Sequence, residues 1–247
     1  TNVLGLNSNV TAITTGSGHS CAIVNGGAKC WGDNGGGQIG DASTNVPLRP
    51  FAVDVANLAS GALAIAAGAG HSCALTTAGG VKCWGDNSSR QVGDGSATAV
   101  FRAPVDVSGL TSGVSAIAVG AFHTCALTAA GGVKCWGSNV SGQIGDGSTT
   151  LRPTPVDVAG LAGGVVAIAA GASHSCAILH GGGVKCWGDN SRGQLGEPSA
   201  LQQLLPVFVT GFPSTDETPD PFSFPPQFGV TPSVTVTSAS VTIAGFT

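Results

Sequence analysis

The chain contains no methionine and little charge: Asp, Glu, Lys and Arg make up 9% of its 247 residues, against about 25% in an average soluble domain. Only nine Lys and Arg are present and the net charge is -4. That leaves no basic field for nucleic acid or for an anionic membrane surface, and membrane insertion is not expected. Long apolar runs are missing too. Stretches such as Val165 to Ala170 fall far short of the roughly 20 residues needed to cross a bilayer as a helix. The sequence shows no basic-then-apolar leader and reads as a processed product whose signal was removed or omitted. Phosphate-cradling loops, basic aromatic patches and paired catalytic carboxylates are absent as well, so no catalytic or cofactor-binding residue is nominated and no cofactor is expected.

What is present is one passage written four times at a period of 51 to 53 residues. Its clearest copy runs from Gly120 to Gly147, GAFHTCALTAAGGVKCWGSNVSGQIGDG. His19, His71, His123 and His174 head the copies, and Trp31, Trp84, Trp136 and Trp187 sit near their centres. A fixed period of this length marks an array of like supersecondary units, each needing neighbours to bury its faces.

The eight cysteines fall two to a repeat: Cys21 with Cys30, Cys73 with Cys83, Cys125 with Cys135, and Cys176 with Cys186. Between the members of each pair lies a hairpin signal. In the first copy it is Asn25-Gly26, suited to a two-residue type I′ turn. In the others it is Thr77-Ala78-Gly79, Ala129-Ala130-Gly131 or His180-Gly181-Gly182, each offering Gly at the left-handed third position of a three-residue loop. Both spacings set the sulfurs opposite one another across an antiparallel pair, where a disulfide fits. Four such bridges imply an oxidising compartment, secreted, cell-surface or periplasmic, and the first two, extracellular or cell surface, are the expectation. Zinc is the competing reading, but its ligand pairs usually come as Cys-x2-4-Cys, which this spacing fits poorly.

One copy reads as four short strands: Pro155 to Val158 as an outer strand, then Val166 to Gly171, Ser175 to Leu179, and Val184 to Trp187, followed by a Gly-rich loop, Gly188 to Gly196. Four strands per repeat of about fifty residues favour the blade of a propeller. The second strand of each unit is almost wholly Ala, Ile and Gly, which places it innermost, where wedge-shaped blades crowd at the axis. Trp lies where blades diverge and more volume must be filled.

The runs Gly-x-x-His-Ser-Cys-Ala-Leu, Gly-Gly-Val-Lys-Cys-Trp-Gly-Asp-Asn and Gly-Gln-Leu/Ile-Gly-Asp-Gly resemble the repeats of the regulator of chromosome condensation family over residues 1–212. That resemblance implies a β-propeller, in the family usually of seven blades, whose members act as nucleotide exchange factors, light sensors or protein inhibitors of β-lactamases. What they share is a scaffold for binding proteins, and no single function transfers with the fold. In that family the matching His belongs to the blade framework. Two features depart from the pattern: the Cys pair in each copy, which points to a secreted branch, and four copies where the family's ring needs about seven. A closed four-bladed ring, an open arc, a fragment, and a subunit sharing strands with neighbours all stay open.

The ends bear on that choice. Thr1 to Leu6 aligns with Val105 to Leu110, and Pro206 to Phe212 matches the same outer segment with no inner strand after it, so one half-unit is expected to be spare. Beyond it a Pro-rich linker, residues 213–229, leads to a C-terminal strand segment, 230–247, in which Val234, Val236, Val241 and Ile243 would form a tethered assembly strand.

Other chemistry is weighed against blander readings. A ring of four His could hold a metal, but a residue repeated in every unit is more often there to build the unit. His-Ser-Cys resembles a base and nucleophile, yet adjacent strand residues point to opposite faces and the Cys is committed to a bridge. The Asp-Asn and Gly-Asp-Gly loops read as Asx turns rather than calcium loops. Arg49, Arg102 and Arg152 read as ion-pair partners of nearby Asp or as a row of contact residues. Asn9, Asn87 and Asn139 head glycosylation sequons, relevant in a eukaryotic source.

The expectation is therefore an all-β, propeller-like array of four four-stranded blades with a tethered C-terminal strand, extracellular and non-enzymatic. Its partner is itself, in a homopolymer or surface fibre built by strand exchange, or another extracellular protein. The alternatives are a monomeric, inhibitor-like binding domain and a metal-dependent or catalytic propeller.

Overall fold

The computed structural model describes residues 3, 4, 6, 8–199 and 201–212, with the backbone alone of 235–237 and 240–242. The linker 213–229 and most of 230–247, including Val234 and Ile243, lie outside the described residues. Every regular element among the described residues is a strand.

Sixteen strands make four antiparallel sheets, each paired in chain order. Blade 1 holds β1 (Val10–Thr15), β2 (His19–Val24), β3 (Gly27–Asp33) and β4 (Leu48–Asp54). Blade 2 holds β5 (Ala62–Ala67), β6 (His71–Thr76), β7 (Val81–Asp86) and β8 (Val100–Asp106). Blade 3 holds β9 (Val114–Val119), β10 (His123–Thr128), β11 (Val133–Gly137) and β12 (Arg152–Asp157). Blade 4 holds β13 (Val165–Ala170), β14 (His174–Leu179), β15 (Val184–Gly188) and β16 (Gln203–Phe208).

The phase of the unit differs from the sequence reading. The outer segment around Pro155 to Val158 falls largely in β12, which pairs with β11 of the blade before it, so each blade opens on its inner strand. A period fixes length but not phase, and backbone pairing supplies the phase. It follows that Pro206 to Phe208 is not spare, because β16 pairs with β15 and completes blade 4. The described residues within 1–6 form no strand.

The hairpins form as their turn chemistry dictates. Asn25 and Gly26 take φ of 52° and 75°, the two left-handed positions of a type I′ turn. Gly79 at 76° closes the corresponding three-residue loop in blade 2. Each turn sets its register, and the cysteines stand directly opposite one another, Cys21 facing Cys30 and Cys73 facing Cys83. All four bridges are formed, with Cα separations of 4.0 to 4.1 Å, and no cysteine is free.

The inner strands do sit innermost. Their ends, at Gly16, Gly68, Gly120 and Gly171, line one central depression of about 320 Å3. The apolar cores lie between blades rather than within them. Ile39, Val55 and Leu58 of blade 1 enclose Ile65 and Trp84 of blade 2. Val92, Val107 and Leu110 of blade 2 enclose Val114 and Trp136 of blade 3. Ile144, Val158 and Leu161 of blade 3 enclose Val165 and Trp187 of blade 4.

Beyond the linker, the expected single strand is two: β17 (Thr235–Thr237) and β18 (Ser240–Thr242) pair as a short hairpin, with Val236 opposite Val241. The backbone of β18 comes close to β13.

Candidate functional site

The chemistry-bearing side chains converge on the joints between blades. At the first joint, Ser72 Oγ donates to the carbonyl of Gln38 at 3.0 Å, and Trp84 Nε1 donates to the same oxygen at 2.9 Å. That carbonyl is thereby filled, since it has two lone pairs. Ser72 has spent its only proton, so the contact between His19 Nε2 and Ser72 Oγ, 2.8 Å, is donated by the imidazole, and this fixes the tautomer. The second joint repeats the set with Gln91, Thr124, Trp136 and His71, and the third with Gln143, Ser175, Trp187 and His123.

Nδ1 of His19, His71 and His123 is then a buried lone pair without a partner. Protonation would create a charge with nothing to accept from it. Burial accordingly pushes His19 down to about 4, opposed only in part by Asp33, and His71 and His123 down to about 3, with neighbouring histidines adding to the effect. These rings are neutral hydrogen-bond donors and do not converge on a common point; among the described residues no cluster of His, Cys, Asp or Glu is arranged to hold a metal. In blades 2 and 4 the serine of the His-Ser-Cys run, Ser72 or Ser175, is a joint residue, and in every copy the cysteine is a disulfide half.

The glycine heading the Gly-x-x-His run in blades 1 to 3 is demanded by the same joint. A Cβ at Gly68 would stand 2.4 Å from the carbonyl oxygen of Gly120 in the next blade and 2.5 Å from the His71 ring. Blades pack this closely only without a side chain there.

The loops are held as Asx turns. Asp86 Oδ1 accepts from Ser88 N at 3.0 Å and Asp189 Oδ1 from Ser191 N at 3.0 Å. The buried Asn87 and Asn139 accept from Val92 N and Ile144 N and donate to loop carbonyls. Both are fully buried, so their sequons are closed in the folded protein, whereas Asn9 is exposed. Arg49 and Arg152 pair with Asp41 and Asp146. Arg102 does not share that place: Phe101 stands opposite Gly85 where Arg49 and Arg152 stand opposite Gly32 and Gly137.

Gln38, Gln91 and Gln143 were missed as joint residues by sequence reasoning. Their recurrence in the Gly-Gln-Leu/Ile-Gly run was visible, but the group that joins blades is the backbone carbonyl, to which residue type is blind. The side chain does a second job, turning the loop: Gln38 Oε1 accepts from Gly36 N while its Nε2 donates to Asp33.

Two sequence profiles described as the regulator of chromosome condensation (RCC1) repeat match this chain, one at residues 63–91, 114–143 and 165–194, the other at 78–127 and 130–178. Together they span residues 63–194, more than half of it. The chain belongs to the RCC1 repeat family. Its curated relatives include the ultraviolet-B receptor UVR8 of Arabidopsis thaliana, 31% identical over 208 residues, covering 81% of this chain and 46% of the receptor. Another is the mitochondrial RCC1 domain-containing protein RUG3 of the same plant, 32% identical over 224 residues, covering 84% of this chain and 48% of that one. The chain thus spans about half the length of these relatives. Among solved structures, human WBSCR16 matches with a TM-score of 0.74 at 24% identity, covering 83% of this chain and 54% of its own. Yeast RCC1 (Prp20), solved bound to Kap60, matches with a TM-score of 0.72 at 20% identity, covering 82% and 49%. These two establish the RCC1 propeller fold, and this RCC1 array carries four of its blades.

Proposed function

We propose that this chain is a non-enzymatic, protein-binding RCC1 module of an extracellular or cell-surface setting, and that association with copies of itself is its leading mode. The carrying observation is where the polar side chains go. His19, His71, His123, the joint serines and threonine, and the loop Asp, Asn and Gln are engaged in holding blades and loops together. Among the described residues no cysteine is free and no cluster of His, Cys, Asp or Glu is arranged to hold a metal. The four bridges are compatible with an oxidising compartment, and no helix among the described residues is long and apolar enough to cross a membrane. Solved relatives bear on the partner class: yeast Prp20 is described by its binding to Gsp1p and histones, and a protein-binding propeller is the transferable part.

In its finest form the reading is a fibre or homopolymer subunit that exchanges the segment 230–247. With Pro206 to Phe208 already committed to blade 4, that segment alone would carry the exchange. Deleting residues 230–247 should leave a folded array that no longer assembles; assembly unchanged by the deletion removes this form. Thiol titration of the native protein should find no free cysteine, and titratable thiols would remove the oxidising setting.

A second reading, a monomer that grips another protein, is favoured by apolar side chains on outer strands. Leu48, Phe51 and Leu205 are all about half exposed. Charged substitutions at Leu48 and Phe51 would then abolish partner binding while leaving the mass of the free chain unchanged.

A further inference from the structure

Arg102 stands apart from the cations that tie the loops together. Arg49 and Arg152 are spent on Asp41 and Asp146, but the Arg102 guanidinium has neither an ion pair nor a hydrogen bond among the described residues. Ala42 N, Gly95 N and Gly147 N donate to the carbonyls of Arg102, Pro153 and Leu204, so these three residues hold one place on the outer strand of the following blade. Of the three joints, the first alone puts a charge there. Arg102 is partly buried, and its stem runs past Gly37, where a Cβ would stand 3.2 Å from Arg102 Cγ. With Asn34, Gly35, Asn45, Val46 and Pro47 of blade 1 it lines a depression of about 330 Å3. The loop that forms the opposite wall is unlike its counterparts. The chain runs two residues longer between the paired Gly32 and Arg49 than between the paired Gly137 and Arg152. Ala42 and Asn45 both hold left-handed backbone with φ of 60°, and the counterparts of Ala42 are glycines, Gly95 and Gly147. Left-handed backbone strains a residue that carries a side chain, and such strain gathers at binding sites. The side-chain amide of Asn45 also has no hydrogen-bond partner among the described residues.

We infer that this depression receives a carboxylate from a partner protein, an Asp or Glu side chain held by the Arg102 guanidinium and the Asn45 amide. The guanidinium is a planar fork that meets a carboxylate through two parallel hydrogen bonds, and partial burial strengthens the pair. Packing does not call for a charge at this place, since Leu204 fills it with hydrocarbon at the third joint. The charge count selects a carboxylate over a phosphate. Among the described residues lining the depression Arg102 is the one cation, while Asp33 precedes the lining residue Asn34 and Asp41 lies on the same loop. A phosphate, at about -1.5 to -2, overcharges such a site, whereas a carboxylate balances the single guanidinium. The flanks are apolar: Val46 and Pro47 line the depression, and Leu48, next along the chain, is 58% exposed. The ligand is therefore an acidic residue with apolar neighbours. The inference rests on the protein-binding reading above and names the chemistry of the partner.

The test follows the Arg102 Nε–H and Asn45 amide resonances of the oxidised full chain by nuclear magnetic resonance. Three probes are titrated in turn: acetyl-Leu-Glu-Leu-amide, acetyl-Leu-Gln-Leu-amide and inorganic phosphate. The expected result is a saturable shift with the Glu peptide, none with the Gln peptide, and weaker binding of phosphate. Arg102→Lys keeps the charge but loses the fork, and should weaken binding of the Glu peptide about tenfold, read at Asn45. Arg102→Leu copies the third joint: it should abolish binding while leaving the urea midpoint unchanged or raised. Arg192→Leu, at an exposed arginine on the blade 4 loop, should leave binding unchanged. Resonances unmoved by the Glu peptide would overturn this inference alone, because the Leu48 and Phe51 substitutions test protein binding separately. Phosphate bound as tightly as the Glu peptide, or a Gln peptide bound equally well, would overturn the choice of a carboxylate. An Arg102→Leu midpoint lowered as far as that of Arg152→Ala would make Arg102 a structural residue and overturn the site.

Discussion

The three internal joints and the two end faces are built from the same repeated sequence, yet they place the same residue types in different physical states. Trp84, Trp136 and Trp187 are fully buried under the preceding blade, while Trp31, in blade 1, is partly exposed. His71 and His123 are enclosed, while His174 is half-buried and its depression by burial is partly opposed by Asp189. Position in the array, not local sequence, decides how much each residue contributes, as expected when stability resides in nearest-neighbour interfaces.

The largest expected effect follows from the histidines. Unfolded His titrates near 6.5, whereas His19, His71 and His123 do so at about 4, 3 and 3 when folded. The unfolded chain therefore binds more protons between those values, and stability present above pH 6.5 is lost as pH falls through the window. The loss should be on the order of 1 kcal/mol per pH unit for each enclosed histidine, several kcal/mol by pH 4.5. Chemical denaturation at a series of pH values, with disulfides intact, measures it. Replacing His123 with Gln should flatten the slope by about one proton, and His174→Gln by less. Equal changes would erase the distinction between joints and ends.

Next come the tryptophans. Trp136→Ala opens a cavity in a closed joint and should cost about 3 to 5 kcal/mol, while Trp31→Ala, measured on the dilute chain, should cost well under half of that. The hydroxyls follow at smaller scale. Ser72→Ala leaves the Nε2 proton of His19 without an acceptor and should cost about 1 to 3 kcal/mol; Ser20→Ala should stay within about 0.5 kcal/mol. Urea midpoints of the four variants rank them, and a Ser20→Ala loss matching Ser72→Ala would mean that blade 1 is already covered within one chain.

Much of this was legible in the sequence because local rules carry it. The Asn25-Gly26 turn, the left-handed glycines at 79, 131 and 182, and the facing cysteines all follow from short-range geometry. The small inner strands and the place of Trp follow from how wedges pack. The blade's phase was not legible, since a repeat is the same repeat wherever it is cut, and that error made the strand at Pro206 seem spare. Arg102 aligns with Arg49 and Arg152 by motif, but a one-residue offset, invisible to such alignment, reverses a strand residue's face. The role of Gln38 was hidden because a main-chain oxygen does the joining.

The smallest effect concerns surface pairs that are alike in blades 1 to 3 and replaced in blade 4. Lys29, Lys82 and Lys134 reach Asp54, Asp106 and Asp157 at 2.5 to 2.6 Å on the sheet surface, with the carboxylates mostly exposed. In blade 4 the place of the Asp is taken by Phe208, over whose ring Lys185 sits at 4.4 Å. Exposed ion pairs and exposed cation–π contacts are each worth about 0 to 1 kcal/mol. Lys82→Ala, Lys134→Ala and Lys185→Ala should therefore fall within that range of one another, with only the first two losing their effect in high salt. Arg152 supplies the contrast. Burial alone would raise the Asp146 carboxyl, but hydrogen bonds from Ser148 and the Arg152 guanidinium outweigh it and hold the carboxyl below its usual range. Arg152→Ala should cost more than any of the lysine changes, and a rank order that put Lys134→Ala above it would show that these surface pairs, and not the joints and their supporting loops, set the stability of the array.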